Sequence, residues 1–497
     1  LIINSAMICV FHKISPCLFL NFMIYHKSQK SRKTKLNPKD WNMKKFTKIT
    51  SSIGPKSGSK EMLEKMIAAG VNVCRLNFSH DGGEVQGAKI DAVREIAART
   101  GNPVAILADL QGPKHRIGNF ETEDKFPIKP GQKFIFDSDA TPGNSNRVQL
   151  PDMDVIHSLK AGDRILLNDG KIEMQVEKVN SDSIEAIVIR GTEIWSRRGF
   201  NLPDTEVATS VLTAKDRADL EYVLTKNPDF VAISFVQKPQ DVAETRDFIE
   251  ARTSHPVKII AKIERPQAVE KIEEIVDAAD GIMIARGDLA VEVPFEKVPA
   301  ISRRIVRLCR EKNKPVIMAT QMLGSMVNSD FPTRAEISDI ATAAYLHVDS
   351  TMTSEETTIS ENPPFVVETM AKILANADMD SIENSQDWSD VEDLAENDWS
   401  LSVAVMAELN EAAAIVVFAN DTAAATEISC RRPNMPIVAV CDKEVVANQL
   451  ALSRGVRSMV DSALFASHDA AAAAAKCGIN GTLISVCGEK RIVSMIK

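Results

Sequence analysis

From Phe46 onward, eight short apolar runs recur: "FTKITSSIG", "VNVCRLNFSH", "VAILADLQG", "DFVAISFV", "KIIAKIE", "GIMIARGDL", "PVIMATQM" and "VDSTMTSEE". Between most of them lie segments with apolar residues at helical spacing, such as "KEMLEKMIAA" and "PAISRRIVRLC". A strand wetted on one face alternates apolar and polar residues, whereas one that is apolar nearly throughout must be covered on both faces. Parallel strands joined by helices meet that demand. Eight of them predict an α/β chain built on a (β/α)8 TIM barrel.

One connection breaks the rhythm. Between the third and fourth runs, "KFIFDS", "DRILLNDGKIEMQVEKV" and "SIEAIVIRG" alternate apolar and polar positions around Asp-Gly and Pro-Gly turns. That is antiparallel patterning with one wet face. It predicts a small β-barrel domain inserted over 113–211, so that the main barrel is split into 43–112 and 212–375. After an acidic, helix-like stretch over 381–398 come "AAIVVFAN", "MPIVAVC", "VRSMVD", "GTLISVC" and "RIVSMIK", separated by Ala-rich segments such as "HDAAAAAAKC". These predict a separate open α/β domain over 376–497. A chain of 497 residues accommodates all three parts, since a domain usually takes roughly 100–200.

Residues 1–42 read as an extension, disordered or upstream translation, with Met43 as the natural start; a targeting segment is the competing reading. The apolar run "CLFLNFMIY" is far shorter than the roughly 20 residues that span a bilayer. The formal charge of -9 opposes general attraction to nucleic acid or to anionic membranes, and leaves room for a local basic pocket. The eight cysteines are scattered without CxxC spacing, which suits reduced thiols in a cytoplasmic protein.

A barrel gathers its chemistry at the carboxyl ends of its strands, and the polar residues collect there. The first run ends at Gly54 and Pro55, the second carries Arg75, Asn77, Ser79 and His80, and the third carries Asp109, then Lys114, His115 and Arg116. The fifth ends with Lys262 and Glu264, the sixth with Arg286, Gly287 and Asp288, the seventh with Thr320 and Gln321. Lys262 and Glu264, two apart, share a strand face. Glu264 and Asp288 from neighbouring strands suit a divalent cation that keeps waters and takes substrate oxygens, as Mg2+ does. Lys262 beside them offers a point charge for a developing anion. With Arg75 and Arg116 on the same rim, the set suits phosphoryl transfer, which needs little beyond positioning and charge. No GxxxxGK[ST], and no GxGxxG opening a helix, is present, so neither of those phosphate loops is used. Taken singly, "KIER" reads equally well as an exposed ion-pair ladder, "ARGDL" as a loop and Lys114 to Arg116 as a solvated basic turn.

The segments "TKITSSIGP", "AGVNVCRLNFSH", "DLQGPKHRIG", "RRGFNLP", "DFVAISFV", "KIIAKIER", "DGIMIARGDLAVEVP", "KPVIMATQML" and "FPTRAEISD" are long, specific and in a familiar order. From about Lys44 to the C-terminus the chain resembles pyruvate kinase. The resemblance implies a barrel with an inserted lid domain and a C-terminal regulatory domain, assembled as a homotetramer in the cytoplasm. It implies the glycolytic transfer of the phosphoryl group of phosphoenolpyruvate to ADP, giving ATP and pyruvate, with Mg2+ or Mn2+. Carried over residue by residue, Glu264 and Asp288 would ligate the divalent metal in a loop shaped by Ala285, Arg286 and Gly287. Lys262 would stabilise the transferring phosphoryl group and the enolate, Arg75 would hold the phosphoryl group, and Thr320 would lie near the enolate face that is protonated. The backbone N–H groups of Gly287 and Asp288 would take the substrate carboxylate. Pro55, Asn77, His80, Arg116 and Arg198 would lie along the nucleotide, with Arg198 in place of the usual lysine. A surface role for His80 stays equally open, and His115 receives no role.

Three departures qualify the resemblance. The family's potassium site would use Asn77, Ser79, Asp109 and the carbonyl of Leu110, but Leu110 stands where potassium-requiring members have Thr, and Lys114 where they have Glu. An ammonium can supply the ion's unit charge, so potassium independence is expected. In "ATAAYLHVDSTMTSEETTISENPPF", Leu346, His347, Glu355 and Thr358 are out of pattern, and the lost glycines point to a rearranged loop. The effector-phosphate loop becomes "ANDTAAA", 419–425, where Asp421 would repel a phosphate, so no activation by fructose 1,6-bisphosphate is expected. Two alternatives remain at this level: a pyruvate-kinase-like binding or regulatory protein with weak catalysis, and another barrel enzyme acting on phosphoenolpyruvate or pyruvate, such as a lyase. The inserted domain and the nucleotide-side cations weigh against the lyase.

Overall fold

A computed structural model describes residues 45–122, 124–207, 210–384, 398–488 and 491–496. Strands β1 (Lys48–Ser52), β2 (Val73–Asn77) and β3 (Ala105–Asp109) open the main barrel. The inserted domain follows, with β4 (Phe126–Pro127), β5 (Lys133–Asp137), β6 (Arg147–Gln149), β7 (Arg164–Leu167), β8 (Ile172–Val179), β9 (Ser183–Arg190), β10 (Glu193–Ile194) and β11 (Phe200–Asn201). Strands β12 (Phe230–Ile233), β13 (Lys258–Ile263), β14 (Gly281–Ala285), β15 (Val316–Ala319) and β16 (Ser350–Thr353) complete the main barrel. Each of the eight apolar runs contributes one strand, and they close in the order β1-β16-β15-β14-β13-β12-β3-β2, parallel throughout.

Both faces of these strands are buried, as their composition demands. Outward residues such as Ile106, Ile259 and Ile284 pack against the surrounding helices. Inward residues, among them Val73, Leu107, Phe230, Ile260, Met283 and Ile317, fill the interior together with Ala451 and Leu452. Those last two belong to the C-terminal domain, which closes the amino-terminal end of the barrel. Gln449 Nε2 donates to the carbonyl of Pro256 at 2.6 Å, and Lys48 Nζ to that of Val456. The opposite, carboxyl rim is left for chemistry.

The inserted domain has its own core around Phe134, Phe136, Ile165, Met174 and Phe200. Its strands form a six-stranded sheet, β11-β7-β8-β9-β5-β6, with β10 paired to β4. Most pairs are antiparallel, as the alternation predicts, but β5 and β6 run parallel. The nine residues between them are long enough to turn back twice. Arg147 pins that excursion, with Nε on Asp137 Oδ2 at 2.8 Å and Nη1 on the carbonyl of Thr141 at 2.9 Å.

Strands β17 (Ala414–Ala419), β18 (Ile437–Cys441), β19 (Val456–Val460), β20 (Leu483–Cys487) and β21 (Ile492–Ile496) make the C-terminal sheet, ordered β19-β18-β17-β20-β21, with only the β20–β21 pair antiparallel. Residues 381–384 end the helix Pro363–Asn384. The rest of the acidic stretch up to 397, and residues 1–42, lie outside the described residues. No helix among the described residues is long and apolar enough to cross a membrane.

The out-of-pattern eighth strand is accommodated by hydroxyl chemistry. Thr50 Oγ1 meets Ser350 Oγ at 2.8 Å, Thr353 Oγ1 meets Ser51 Oγ at 3.0 Å, and Thr357 Oγ1 donates to the carbonyl of Ser52 at 2.9 Å. His347 adopts a left-handed φ of 59°, which glycine takes at no steric cost, and Glu355 opens a short helix, Glu355–Thr358. Thr358 then packs directly on Gly54: a Cβ added there would lie 2.3 Å from Thr358 Cβ. Gly54→Ala is therefore expected to lose about 1–3 kcal/mol of stability to overpacking, read as a lower urea midpoint at unchanged slope.

Candidate active site

The rim is organised around Asp109, at the end of β3. Its carboxylate is buried, and two cations from different strands converge on it. Arg75 Nε, from β2, donates to Oδ2 at 2.6 Å, and Lys262 Nζ, from β13, lies 3.2 Å from Oδ1. Lys262 also stands 3.2 Å from Glu264 Oε1 and donates to Ser234 Oγ at 2.6 Å. Burial alone would discharge such an ammonium, but Asp109 and Glu264 outweigh it and hold the Lys262 pKa above the ordinary value. Burial likewise opposes the charge on Asp109, yet Lys262 and Arg75 hold its pKa below the carboxylate norm. The lysine is kept as a cation. Arg75 is anchored further by Ser52 Oγ at 2.7 Å.

Glu264 Oε2 accepts from the Phe235 N–H at 2.7 Å, so this carboxylate is aimed by backbone from the neighbouring strand end. Its pKa is raised by burial, against the pull of Lys262 and with the push of the Asp288 carboxylate. Two carboxylates that repel one another across adjacent strands, with few competing ligands, form a donor set that suits a hard divalent cation completed by water and substrate oxygens. Lys114 Nζ lies 3.0 Å from Asp288 Oδ1 and 5.9 Å from the centre of the Phe235 ring. Leu110 is buried, and its carbonyl accepts from Ser234 Oγ at 2.8 Å.

At the seventh strand end, Thr320 and Gln321 take successive left-handed φ angles of 74° and 54°. Non-glycine residues in that region store strain, which persists only where neighbours enforce it. Here Arg286 does so. It donates to the carbonyls of Ala319 at 3.2 Å and Thr320 at 2.8 Å, and grips both Asp339 oxygens at 2.8 and 2.7 Å. The turn delivers Thr320 Oγ1 to the Gly287 N–H at 2.8 Å, so the hydroxyl and the loop of the sixth strand form one surface.

A family model for pyruvate kinase, barrel domain, matches residues 44–367, and one for pyruvate kinase, alpha/beta domain, matches 398–494. The chain belongs to the pyruvate kinase family. The pyruvate kinase of Methylorubrum extorquens is 37% identical over 450 residues, covering 90% of this chain and 93% of that one. That of Geobacillus stearothermophilus is 38% identical over 423 residues, covering 83% and 71%. The crystal structure of a pyruvate kinase from Cryptosporidium parvum superposes with a TM-score of 0.85 at 30% identity, covering 95% of this chain and 100% of that one. Pyruvate kinases are phosphotransferases that act on phosphoenolpyruvate and ADP, generally with Mg2+, and this chain is one of them.

The other pyruvate kinase positions sit further out. Asn77 Oδ1 accepts from the Ser79 N–H at 3.0 Å, which shapes the turn that carries His80. Pro55 and His80 are exposed. Arg116 and Arg198 lie where the inserted domain leaves the barrel: Arg116 bridges to Gly199 and donates to the carbonyl of Arg197 at 3.1 Å, and the Arg198 guanidinium lies 5.0 Å from the Trp195 ring. The structure thus brings Arg75, Asp109, Lys262, Glu264, Asp288 and Lys114 together directly, and sets Arg116 and Arg198 along the lid.

His115 now has a place. Its Nδ1 lies 2.8 Å from Asp152 Oδ2 of the inserted domain, and its carbonyl accepts from the Phe200 N–H at 2.9 Å. Nearby, Asn201 Nδ2 donates to the buried Glu292 Oε1 at 2.7 Å. Glu292 ends the helix that begins at Arg286 and carries Asp288, so the lid is bonded to the element that positions the Asp288 carboxylate. Ser234 and Phe235, which hold Lys262 and Glu264, are missed by reasoning from charged residues alone. The available signal was the polar serine inside the otherwise apolar run "FVAISFV".

Proposed function

We propose that this rim carries out phosphoryl transfer from phosphoenolpyruvate to ADP with Lys262 as the central charge. The observation that carries the reading is the Lys262 ammonium, buried yet held between Asp109, Glu264 and Ser234. The enolate-oxygen-to-phosphorus bond breaks as a bond forms to a terminal phosphate oxygen of ADP, and charge accumulates on the enolate. Lys262 offsets that charge and Arg75 orients the phosphoryl group; such preorganised charge is the main resource for this chemistry. Glu264 and Asp288 would hold Mg2+ or Mn2+, which supplies charge neutralisation between the phosphate oxygens. The Gly287 and Asp288 N–H groups take the substrate carboxylate, the Gly287 N–H giving up its bond to Thr320 Oγ1 as it does so, and Thr320 lies on the face where the enolate carbon gains its proton to give pyruvate. Pro55, Asn77, His80, Arg116 and Arg198 lie along the nucleotide.

A coupled assay of ATP formation checks this: activity with phosphoenolpyruvate, ADP and MgCl2 should vanish with EDTA and return on adding excess Mg2+ or Mn2+. A wild-type rate no higher than that of Lys262→Met would instead mark a ligand-binding relative.

Two finer properties belong to the same reading. Lys114 supplies the unit charge that potassium would, so Asn77, Ser79, Asp109 and Leu110 form a remnant monovalent site. The loop at 419–425 takes no sugar bisphosphate: Asp421 Oδ1 accepts from the Ala423 N–H at 2.8 Å, and Lys258 Nζ of the barrel donates to Thr422 Oγ1. The Asp421 and Thr422 side chains are thereby engaged within the chain, and a carboxylate faces any incoming phosphate. Fructose 1,6-bisphosphate should shift the half-saturating phosphoenolpyruvate concentration by less than about twofold; a tenfold fall would correspond to about 1.4 kcal/mol of coupling and would overturn the reading. We place the chain in the cytoplasm as a homotetramer, which sedimentation should show as the mass of four chains.

A further inference from the structure

At the amino-terminal end of the barrel, far from the catalytic rim, the C-terminal domain meets β16 through buried arginines. Arg432 grips Asp349 with Nη1 on Oδ1 at 3.0 Å and Nη2 on Oδ2 at 2.8 Å. The same carboxylate accepts from the N–H groups of Val316 at 3.1 Å and Arg454 at 3.0 Å. Arg454 Nη1 pairs with Asp378 Oδ1 at 2.6 Å, and Asp378 also accepts from the N–H groups of Phe46 and Thr47, each at 2.8 Å. Both carboxylates are therefore fully used.

A third guanidinium remains. Arg310, in the last turn of the helix Val298–Glu311, is half-buried, and its side chain has no hydrogen bond or ion pair among the described residues. Helix C-terminal carbonyls could offset its charge, but those of Leu308, Cys309 and Arg310 are taken by the N–H groups of Lys312, Lys314 and Asn313. Arg310 Nε, Arg432 Nε and His347 Nδ1 are each shut off from water without a partner, although buried polar groups are nearly always satisfied. Arg432 is only 9% exposed. Bonds around them place the three groups together: Arg432 holds Asp349, two residues beyond His347, and the adjacent Arg431 donates through Nη2 to Asn313 Oδ1 at 2.7 Å, three residues beyond Arg310. In keeping with this, burial and then Arg432 lower the Arg310 pKa to about 10 against a weaker pull from Asp349, and burial followed by Arg454, Arg310 and Arg432 drives His347 down to about 2.

We propose that Arg310, Arg432 and His347 form a binding site for a small phosphate-class oxyanion at the joint between the barrel and the C-terminal domain. A tetrahedral oxyanion accepts several N–H bonds at once and matches guanidinium donors better than a carboxylate already saturated can. It would supply the negative charge that Arg310 lacks and tie the helix Val298–Glu311 to Arg432. The same chemistry can come from free phosphate or from the phosphoryl group of a metabolite.

The test is equilibrium dialysis of the full chain with labelled inorganic phosphate at constant ionic strength, together with thermal unfolding. Wild type should bind one phosphate per chain more than Arg310→Met, with a saturable rise in melting temperature of about 2–4 °C that the variant lacks. Arg310→Met should itself fold, since it removes an uncompensated buried charge. His347→Gly, which relieves the left-handed φ, is the second variant and should bind that phosphate at least about fivefold more weakly. A hexose monophosphate or nucleoside monophosphate that saturates the same site at lower concentration identifies a metabolite as the source; saturation by inorganic phosphate alone identifies the free ion. Equal phosphate binding by wild type and both variants overturns the proposal. So does an Arg310→Met chain whose oligomer falls apart, because the missing charge would then be a carboxylate of a second copy.

Discussion

Lys262→Met is expected to lower kcat by at least about a hundredfold, the loss seen when one preorganised donor to a developing anion is removed, with the half-saturating phosphoenolpyruvate concentration changed far less. That split follows from geometry. Arg75 and the Gly287 and Asp288 N–H groups remain to hold the ground state, while the charge that grows on the enolate loses its counter-ion. A proportional loss of affinity and rate would show that Lys262 serves binding rather than the chemical step.

The same substitution should also weaken the fold, in a pH-dependent way. Methionine leaves Asp109 with Arg75 alone and Glu264 with no cation on Oε1, both carboxylates being buried. Removing one partner of a buried pair typically costs about 3–5 kcal/mol. The sign follows from linkage. Asp109 has a folded pKa below its unfolded value, so its contribution is present above the unfolded pKa and lost as pH falls through the folded one. Without Lys262 that depression shrinks, and Glu264, already raised, climbs further. The stability gap between variant and wild type should therefore be widest at neutral pH and narrow as acid protonates both carboxylates. Urea midpoints at pH 7 and pH 5 measure it, and a gap that widens in acid would contradict the assigned charges.

The barrel was legible because its strands are covered on both sides: runs such as "KIIAKIE" and "PVIMATQM" have no wet face, and only a few architectures hide eight of them. The charged rim residues were legible for a related reason, since charges at the ends of apolar strands have nowhere else to go. What escaped the sequence depends on contacts between distant segments. Nothing local in "ALSRG" announces that Ala451 and Leu452 enter the barrel interior, or that Ser234 and Phe235 orient the Lys262 and Glu264 side chains from the next strand. The left-handed pair Thr320 and Gln321 carries no glycine to mark it; Arg286 and Asp339, 53 residues apart, enforce it. The parallel β5–β6 pair was hidden because alternation reports a wet face and not a strand direction.

Lys114→Gln is expected to bind the divalent cation more tightly and yet turn over more slowly. In the wild type the Lys114 ammonium lies 3.0 Å from Asp288 Oδ1, so it competes with a metal for that carboxylate while adding a positive charge to the rim. Glutamine keeps a polar side chain of similar reach and removes the charge. The Asp288 oxygen is released, and the Mg2+ concentration giving half-maximal rate should fall severalfold. The phosphoryl oxygens lose a cation of the catalytic surroundings, and kcat should fall at least about tenfold, or about 1.4 kcal/mol of transition-state stabilisation. Potassium then separates two roles for the lysine. If Lys114 stands in for the ion, the wild type should change less than twofold between potassium-free buffer and saturating KCl, whereas Lys114→Gln should recover part of its rate when KCl is added, the remnant ligands Asn77, Ser79 and Asp109 being intact. A wild-type enzyme that is nearly inactive without potassium would show that Lys114 does no more than guard Asp288.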